Sequence, residues 1–432
     1  MNRKTFWLIL IALHLVFFSK QVFFHNSLIQ DSDEYLFAAE NLKNHGTLYA
    51  WNLNYTYNPD WLTKRPFLYP LILLIFKYLS FGNQGLFFAM VYLAQNLLSL
   101  FNIRLALKMA EKKSLKINYL YAVFFLIFSV SQLVYANLIM SEIWLQTCFM
   151  AMLYLMLFRN NDLKKFIYLS LLIIAAMSIK PVMVAAVMAF PLIYLITEFK
   201  RFKFQYMAIT LMPLIYFIAV GFINEKRTGY RHYSSISNIN LLHYNTYVML
   251  MYKYGTVKAD SIIDGIKSRA TLTGSYPAKQ AYIAKQSSKQ IKEHIGLYMT
   301  LHLRGIAFAL IDPGRFDLTQ FFNLPHKDNL LYETNKKGVF ELAKRIFLNP
   351  LGLVLMVLMA FNAFRLITAI RFLFKSKYSW WFKLTVVLIP FYILALTGPI
   401  GTSRFFMPLV PIAFFIFLLT VSKKETDLES LA

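Results

Sequence analysis

The sequence is poor in the residues that most catalytic and metal-binding signatures need. It has one cysteine, Cys148, placed in an apolar run. A single thiol excludes an intrachain disulfide framework and a multi-cysteine zinc site. The eight histidines include no H-E-x-x-H or comparable zinc spacing. There is no Walker A loop, no Rossmann glycine pattern and no G-x-S-x-G elbow. Internal repeats and low-complexity tracts are also missing. Acids are scarce, with 21 Asp and Glu against 45 Lys and Arg, a net charge of +24. Such a charge can serve nucleic acid. Here the bases mostly flank apolar segments, so membrane topology and anionic lipid account for them, and no nucleic-acid partner is expected.

What the sequence has in abundance is apolar surface. Of its 432 residues, 58% are hydrophobic and 17% aromatic, and the mean hydropathy is +0.49. Several windows of ~15–20 residues are nearly free of charge, about the length that crosses a bilayer. The expectation is an all-α, polytopic membrane helix bundle. The first apolar segment follows Asn2-Arg3-Lys4 and lacks a small-x-small cleavage site after it, so it reads as an uncleaved signal anchor. About ten spans are expected: Phe6–Phe24, Leu86–Leu107, Ile117–Leu138, Ile143–Phe158, Phe166–Ile179, Pro181–Ile196, Tyr206–Phe222, Leu351–Ile370, Phe382–Leu396 and Phe405–Val421. Phe67–Leu79 is only ~13 residues long and suits a re-entrant or surface helix.

Charge sets the sidedness. With Phe67–Leu79 left out as a span, Arg104 to Lys116, Arg159 to Lys165, Lys200 to Lys203, Arg371 to Lys383 and Lys423-Lys424 all fall on the N-terminal side. That is the positive-inside pattern, with both termini cytoplasmic in the inner (plasma) membrane. The exoplasmic regions are then the loop His25–Gly85 and the longer, more polar segment Asn224–Asn349. The chain divides into a membrane module at 1–223, an exoplasmic segment at 224–349 and C-terminal spans at 350–432.

Gln30 to Pro70 stands out within this scaffold. It opens on Asp31, Asp33 and Glu34, and continues as an amphipathic helix with Tyr35, Leu36, Ala39 and Leu42 on one face. Lys43 and His45 lie in the last turn and Gly46 suits the C-terminal cap. Asp31 with Glu34 has capping-box spacing, so acids here need no function beyond starting a helix. Asp31-Ser32-Asp33 also has the D-x-D form that some glycosyltransferases use for a metal–diphosphate. Two acids two apart are common by chance, so a divalent metal rests on weak grounds.

With the expected topology, other polar residues share that membrane face. Ser141-Glu142 lies between spans three and four, Lys180-Pro181 between five and six, and Arg404 between nine and ten. Glu142 could cap its helix, and Lys180 and Arg404 could snorkel to headgroups. Gathered together, carboxylates and isolated cations suit an anionic lipid head and an acceptor hydroxyl or amine. A carboxylate can take the acceptor's proton, and cations can hold a leaving phosphate.

Four stretches resemble the GT-C superfamily of polyprenyl-phosphate-dependent glycosyltransferases, in the bacterial branch near protein O-mannosyltransferases and the lipid A aminoarabinose transferase. They are DSDEYLFAAENLKNHG, RPFLYPLILLIFKYLSFG, LIMSEIWLQTCFMAMLYL and RFFMPLVPIAFF. The resemblance covers the first ~200 residues in order and the last spans. It implies two juxtamembrane helices in the first loop. It also implies transfer of a hexose or pentose from a polyprenyl-phosphate donor to an envelope acceptor (lipid, glycan or protein) on the exoplasmic side. Asp31 falls on the family's catalytic acid and Glu142 on a second acid that supports the site. Asp33, Glu34, Tyr35, Arg65, Lys180 and Arg404 are the candidates for substrate binding. Lys180 stands where relatives often carry Arg, keeping the charge and losing the bidentate fork. The resemblance implies no required metal cofactor. A lipid-linked glycan transporter or flippase, a glycan polymerase or ligase, and an envelope scaffold are the alternatives.

Overall fold

Asparagine caps start the helices from which the bundle is built. The computed structural model describes residues 1–24, 27–198, 203–324 and 350–424, and most of them are helical. The side chain of Asn2 accepts the Thr5 N–H to open the helix Arg3–Ser19. Asn83 accepts from Leu86 N at the head of Gln84–Glu111, and Asn118 from Leu120 and Tyr121 N at the head of Tyr119–Phe128. Each pairs an orphan donor that the first turn of the helix leaves open.

All ten apolar segments expected as spans contain helix, but they differ in length. Among the described residues, five helices are long and apolar enough to cross a bilayer, Arg3–Phe24, Gln84–Glu111, Phe204–Thr228, Pro350–Lys375 and Ser403–Val421, and a sixth span results if the bent pair Tyr276–Glu293 and Ile295–Ile311 counts as one. The others are shorter or broken. Ile117–Leu138 is interrupted at Ser129, whose hydroxyl turns back to Phe125 O at 2.8 Å. Pro181 opens a short 3-10 turn ahead of Ala186–Glu198. Ser403–Val421 is innermost, with 78% of its apolar window buried against 17% for Phe204–Thr228. It packs on Gln84–Glu111, which also carries Glu142–Phe158. Phe125, Phe149, Phe414 and Phe415 fill the space between them.

Amides run through this apolar core. Asn102 Nδ2 donates to Gln146 Oε1 at 3.0 Å, Gln132 and Gln146 exchange bonds of 2.8 Å, and Gln132 also reaches Ser99. In an apolar core, such partners lock the lateral order of helices.

The described charges separate toward two ends. At one end, Arg3 pairs with Glu111 at 3.2 Å, Leu115–Lys116 forms a short antiparallel ladder with Lys423–Lys424, and the Lys113 ammonium lies over the Phe382 ring. The basic stretches 104–116, 371–383 and 423–424 therefore share an end. Lys200 and Arg201 of the third basic cluster lie outside the described residues.

At the other end the first loop folds over the bundle. Gln30–His45 packs on Leu68–Leu79, with the Tyr35 and Tyr69 rings edge to face at 4.8 Å. Gly46 closes the first of these helices at φ +66°, a left-handed cap as its position leads one to expect. The segment after Asn224 is helical too, and Leu242, Met249, Leu250 and Ile263 give it a small core of its own. Its part at 325–349 lies outside the described residues. Within this segment the helix Ile295–Ile311 is bent 93° from Tyr276–Glu293. Gly305 on it meets Gly398 and Gly401 backbone to backbone, where any side chain would collide. That contact fixes the loop leading to Arg404.

Candidate functional site

Arg404 is the point at which separate parts of the chain meet. Its position is set first by its own loop. In the turn Asp312-Pro-Gly-Arg, Asp312 Oδ1 accepts from Gly314 N at 3.0 Å and Oδ2 accepts from Ser403 N at 2.7 Å. Ser403 Oγ donates to Asp317 Oδ2 at 3.1 Å. On the inner side, Gln146 Nε2 donates to Met407 O at 3.1 Å.

So held, Arg404 donates from Nε to Glu142 Oε1 at 2.7 Å and from Nη2 to Asp31 Oδ2 at 2.5 Å. Lys180, where Leu163–Ile179 ends ahead of Pro181, donates to the same Glu142 oxygen at 2.7 Å. Asp31 Oδ1 takes Arg65 Nη2 at 2.8 Å. Arg65 Nε goes on to Glu34 Oε2 at 2.7 Å, and Lys64 to Glu34 Oε1 at 2.9 Å. The Arg65 guanidinium lies 4.7 Å from the Tyr35 ring centre, and the Tyr35 hydroxyl meets Ser141 Oγ at 3.0 Å. The result is an alternating network of three acids and four bases.

Seven of the eight site residues named from the sequence are in this network. Asp33 is not. It is exposed, on a different face of the helix, and borders a cleft of about 290 Å³ with Glu40, Lys77 and Asn83. Asp31 and Asp33 thus diverge and do not form one chelate, and among the described residues no group of three or more His, Cys, Asp or Glu gathers to hold a metal. The capping-box spacing of Asp31 and Glu34 also has another outcome. Ser32 serves the helix start, accepting from Ile29 N at 3.2 Å, and both acids turn to cations.

Exposure separates roles within the network. The Glu142 side chain is 0% exposed, whereas Lys180, Arg404 and Asp31 are 20%, 25% and 23% exposed. Glu142 Oε2 is buried with no hydrogen-bond partner among the described residues. Glu142 therefore holds the two cations from beneath, and Lys180, Arg404 and Asp31 each keep a partly open side. Burial alone would raise the Asp31 carboxyl, but Arg404 and Arg65 outweigh it and hold it well below the usual range. Asp31 is thus an anion throughout the physiological range.

Asp312, Asp317 and Ser403 escaped the sequence reading. The turn-forming D-P-G of IDPGRFD is the one signal that marks them. Asp317 sits deep beside Arg404, and burial pushes its carboxyl up to about 6 against the opposing pull of Tyr135, Arg404 and Ser403.

Solved structures overlap with the chain, among them two of one protein. They are crystal structures of ArnT from Cupriavidus metallidurans, one bound to undecaprenyl phosphate and one in the apo state. The overlaps cover 97% of this chain and 77% of ArnT in each case, at 11% and 10% identity and TM-scores of 0.40 and 0.38. No family model and no curated protein matches the sequence.

Proposed function

We infer that this chain is a membrane glycosyltransferase that moves a sugar from a polyprenyl monophosphate to an envelope acceptor at the exoplasmic face. The observation that carries the reading is the Arg404 junction. Two cations that a phosphate can reach stand beside one carboxylate that an acceptor can reach, and a wholly buried glutamate orders the cations.

The chemistry follows from those groups. A phosphate has the charge and shape to take Lys180 and Arg404 donors from the carboxylates that now hold them. The acceptor O–H or N–H attacks the anomeric carbon as the bond from that carbon to the phosphate oxygen breaks. The bonding pair leaves on the phosphate, and the two cations stabilise the charge. Asp31 orients the acceptor and receives its proton. A carboxyl held this low is a weak base, so its proton passes on to water at once. Its larger contribution is to fix the acceptor's direction of attack and to offset the charge growing at the anomeric carbon. Glu142 keeps Lys180 and Arg404 in register throughout. This reading needs the ten apolar segments to place both termini in the cytoplasm.

The test uses the full chain in detergent with a radiolabelled polyprenyl-phosphate sugar and an envelope extract. Label moving into the extract with release of polyprenyl phosphate, lost in Lys180→Gln and Arg404→Gln, supports the reading. Full transfer by both variants sinks it. Mass spectrometry of envelope glycolipids and glycoproteins with and without the gene identifies the acceptor.

A further inference from the structure

Residues 49–61 bear a second concave surface, outside the ion network. It is a cleft of about 780 Å³ bordered by Trp51, Tyr55, Tyr57, Trp61, Tyr276 and Lys279. That volume is within the roughly 300–1,000 Å³ of small-ligand sites. The rings are ordered in pairs. Trp51 and Trp61 stack at 5.0 Å and 17°, and Tyr49 and Tyr57 at 5.5 Å and 15°.

The backbone under these rings is fixed by hydrogen bonds. Ala50 N donates to Trp61 O at 2.8 Å, Asn58 N to the Tyr49 hydroxyl at 2.9 Å, and Asn41 Nδ2 to Trp51 O at 2.8 Å. The opposite wall is clamped on: Tyr276 Oη and Gln280 Nε2 both donate to Asp60 Oδ1, at 2.8 and 2.9 Å. Yet Tyr55 and Tyr57 remain 67% and 58% exposed. Large rings left this open on a rigid frame await a ligand with a flat apolar face.

We propose that this cleft binds a saccharide, and that the acceptor of the transfer is a glycan or glycolipid whose sugar rings lie on Trp51, Trp61 and the two tyrosines. The idea rests on the transferase reading for the word acceptor, though not for the binding itself. A pyranose has one face of C–H bonds carrying slight positive charge, which suits the negative face of an aromatic ring. Its rim of hydroxyls needs donors and acceptors, and Lys279 and Asn58 border the rings. Between its rings the loop is polar. The sequence Asn52-Leu53-Asn54-Tyr55-Thr56-Tyr57-Asn58 has one aliphatic side chain among seven. Continuity with the ion network supplies the link to function. The Lys64 ammonium lies 4.0 Å from the Trp61 ring centre and pairs with Glu34, which pairs with Arg65, which pairs with Asp31.

The experiment presents the detergent-solubilised full chain to an array of immobilised oligosaccharides, with immobilised peptides and phospholipid vesicles alongside. Oligosaccharide binding is expected, weakened about tenfold or more by Tyr55→Ala combined with Tyr57→Ala, since each stacked ring contributes of order a kcal/mol. Both rings are exposed, so the fold survives their loss. Lys279→Ala gives a second variant, expected to weaken binding by several-fold. Binding to peptides alone, to vesicles alone, or to oligosaccharides without any effect of these variants overturns the proposal. Asp31→Asn separates the two readings. If it keeps full transfer, the transferase mechanism fails while array binding can stand. If wild-type transfer is intact but no oligosaccharide binds, the cleft proposal alone fails.

Discussion

Arg404 and Glu142 lie 262 positions apart and meet through a 2.7 Å bond from Nε to Oε1, an oxygen that also takes Lys180. One buried carboxylate thus balances two cations. Replacing it puts a neutral group beneath both cations and leaves Arg404 with Asp31 as its remaining acid. Breaking a buried ion pair from one side costs about 3–5 kcal/mol, and Gln, which keeps an acceptor oxygen, belongs at the low end. Glu142→Gln should therefore lower the thermal midpoint in detergent by several degrees. Adding Lys180→Met should recover part of the loss, because the site then holds one cation fewer. If the double variant is less stable than the sum of the single changes, Glu142 is not the counter-ion of Lys180.

Asp31→Asn tests the carboxylate proposed to serve the acceptor. The cap of its helix belongs to Ser32, so the substitution leaves the helix start alone. It does remove the charge facing Arg65 and Arg404, and hydrogen bonds to charged groups are worth about 1.5–3 kcal/mol each. Each arginine keeps another acid, Glu34 or Glu142, so the net loss should stay near the bottom of that range. Transfer should fall by ~10²–10⁴-fold, the range for a positioned acid–base group. Asp33→Asn, exposed on another face, should keep most of the activity. Equal losses in the two variants, measured as initial rates on folded protein, would remove Asp31 from the chemistry.

These groups differ in how far the sequence discloses them. Asp31, Glu142, Lys180 and Arg404 are legible because each is a charge at the edge of an apolar run. Alternating the runs from one membrane face to the other then tells which edges coincide. Arg65 is legible through its neighbours in the first loop. Asp312, Asp317 and Ser403 are not, because their bonds depend on how the D-P-G turn docks onto a loop 91 residues further on. Hydrophobic patterning carries no record of that docking. Span lengths were hidden for a related reason. Ser129 and Pro181 break apolar runs whose hydropathy continues through the break. Asp33 shows the converse limit: spacing put it beside Asp31, and the helical turn carried it away.

Asp317 makes stability depend on pH. Its carboxyl is raised to about 6 from an ordinary 3.8, chiefly by burial. The folded chain therefore holds this proton more tightly than the unfolded chain does. Its contribution is fully present below about pH 4 and is lost as pH rises through 6. Asp312 and Tyr135 also face the group, and Arg404 opposes the shift. The thermal midpoint of the wild type should fall between pH 5 and 7 relative to Asp317→Asn, whose side chain cannot ionise. Parallel midpoint curves for the two proteins would show that Asp317 does not titrate in this window.

Sidedness is open to a direct chemical measurement, because the two ends of the bundle differ in charge. Basic stretches gather at the end where Arg3 meets Glu111, and the Arg404 junction is at the other. By the rule that lysine and arginine are retained in the cytoplasm, the first end is expected to face inward. Cys148 is buried and is the only thiol, so Cys148→Ala gives a background in which any label reports an introduced cysteine. Thr56, in the aromatic loop, and Lys377, in the basic turn before Trp380–Ala395, are both exposed and so accept substitution without disturbing the core. An impermeant maleimide added to intact cells should label Thr56→Cys and spare Lys377→Cys until the membrane is opened. Equal access at both positions in intact cells would mean that they share one face, and the chain could not then cross the bilayer in the order its apolar segments require. Labelling at Lys377 with none at Thr56 would turn the bundle over. Asp31, Lys180 and Arg404 would then face the cytoplasm, and a donor presented outside could not reach them.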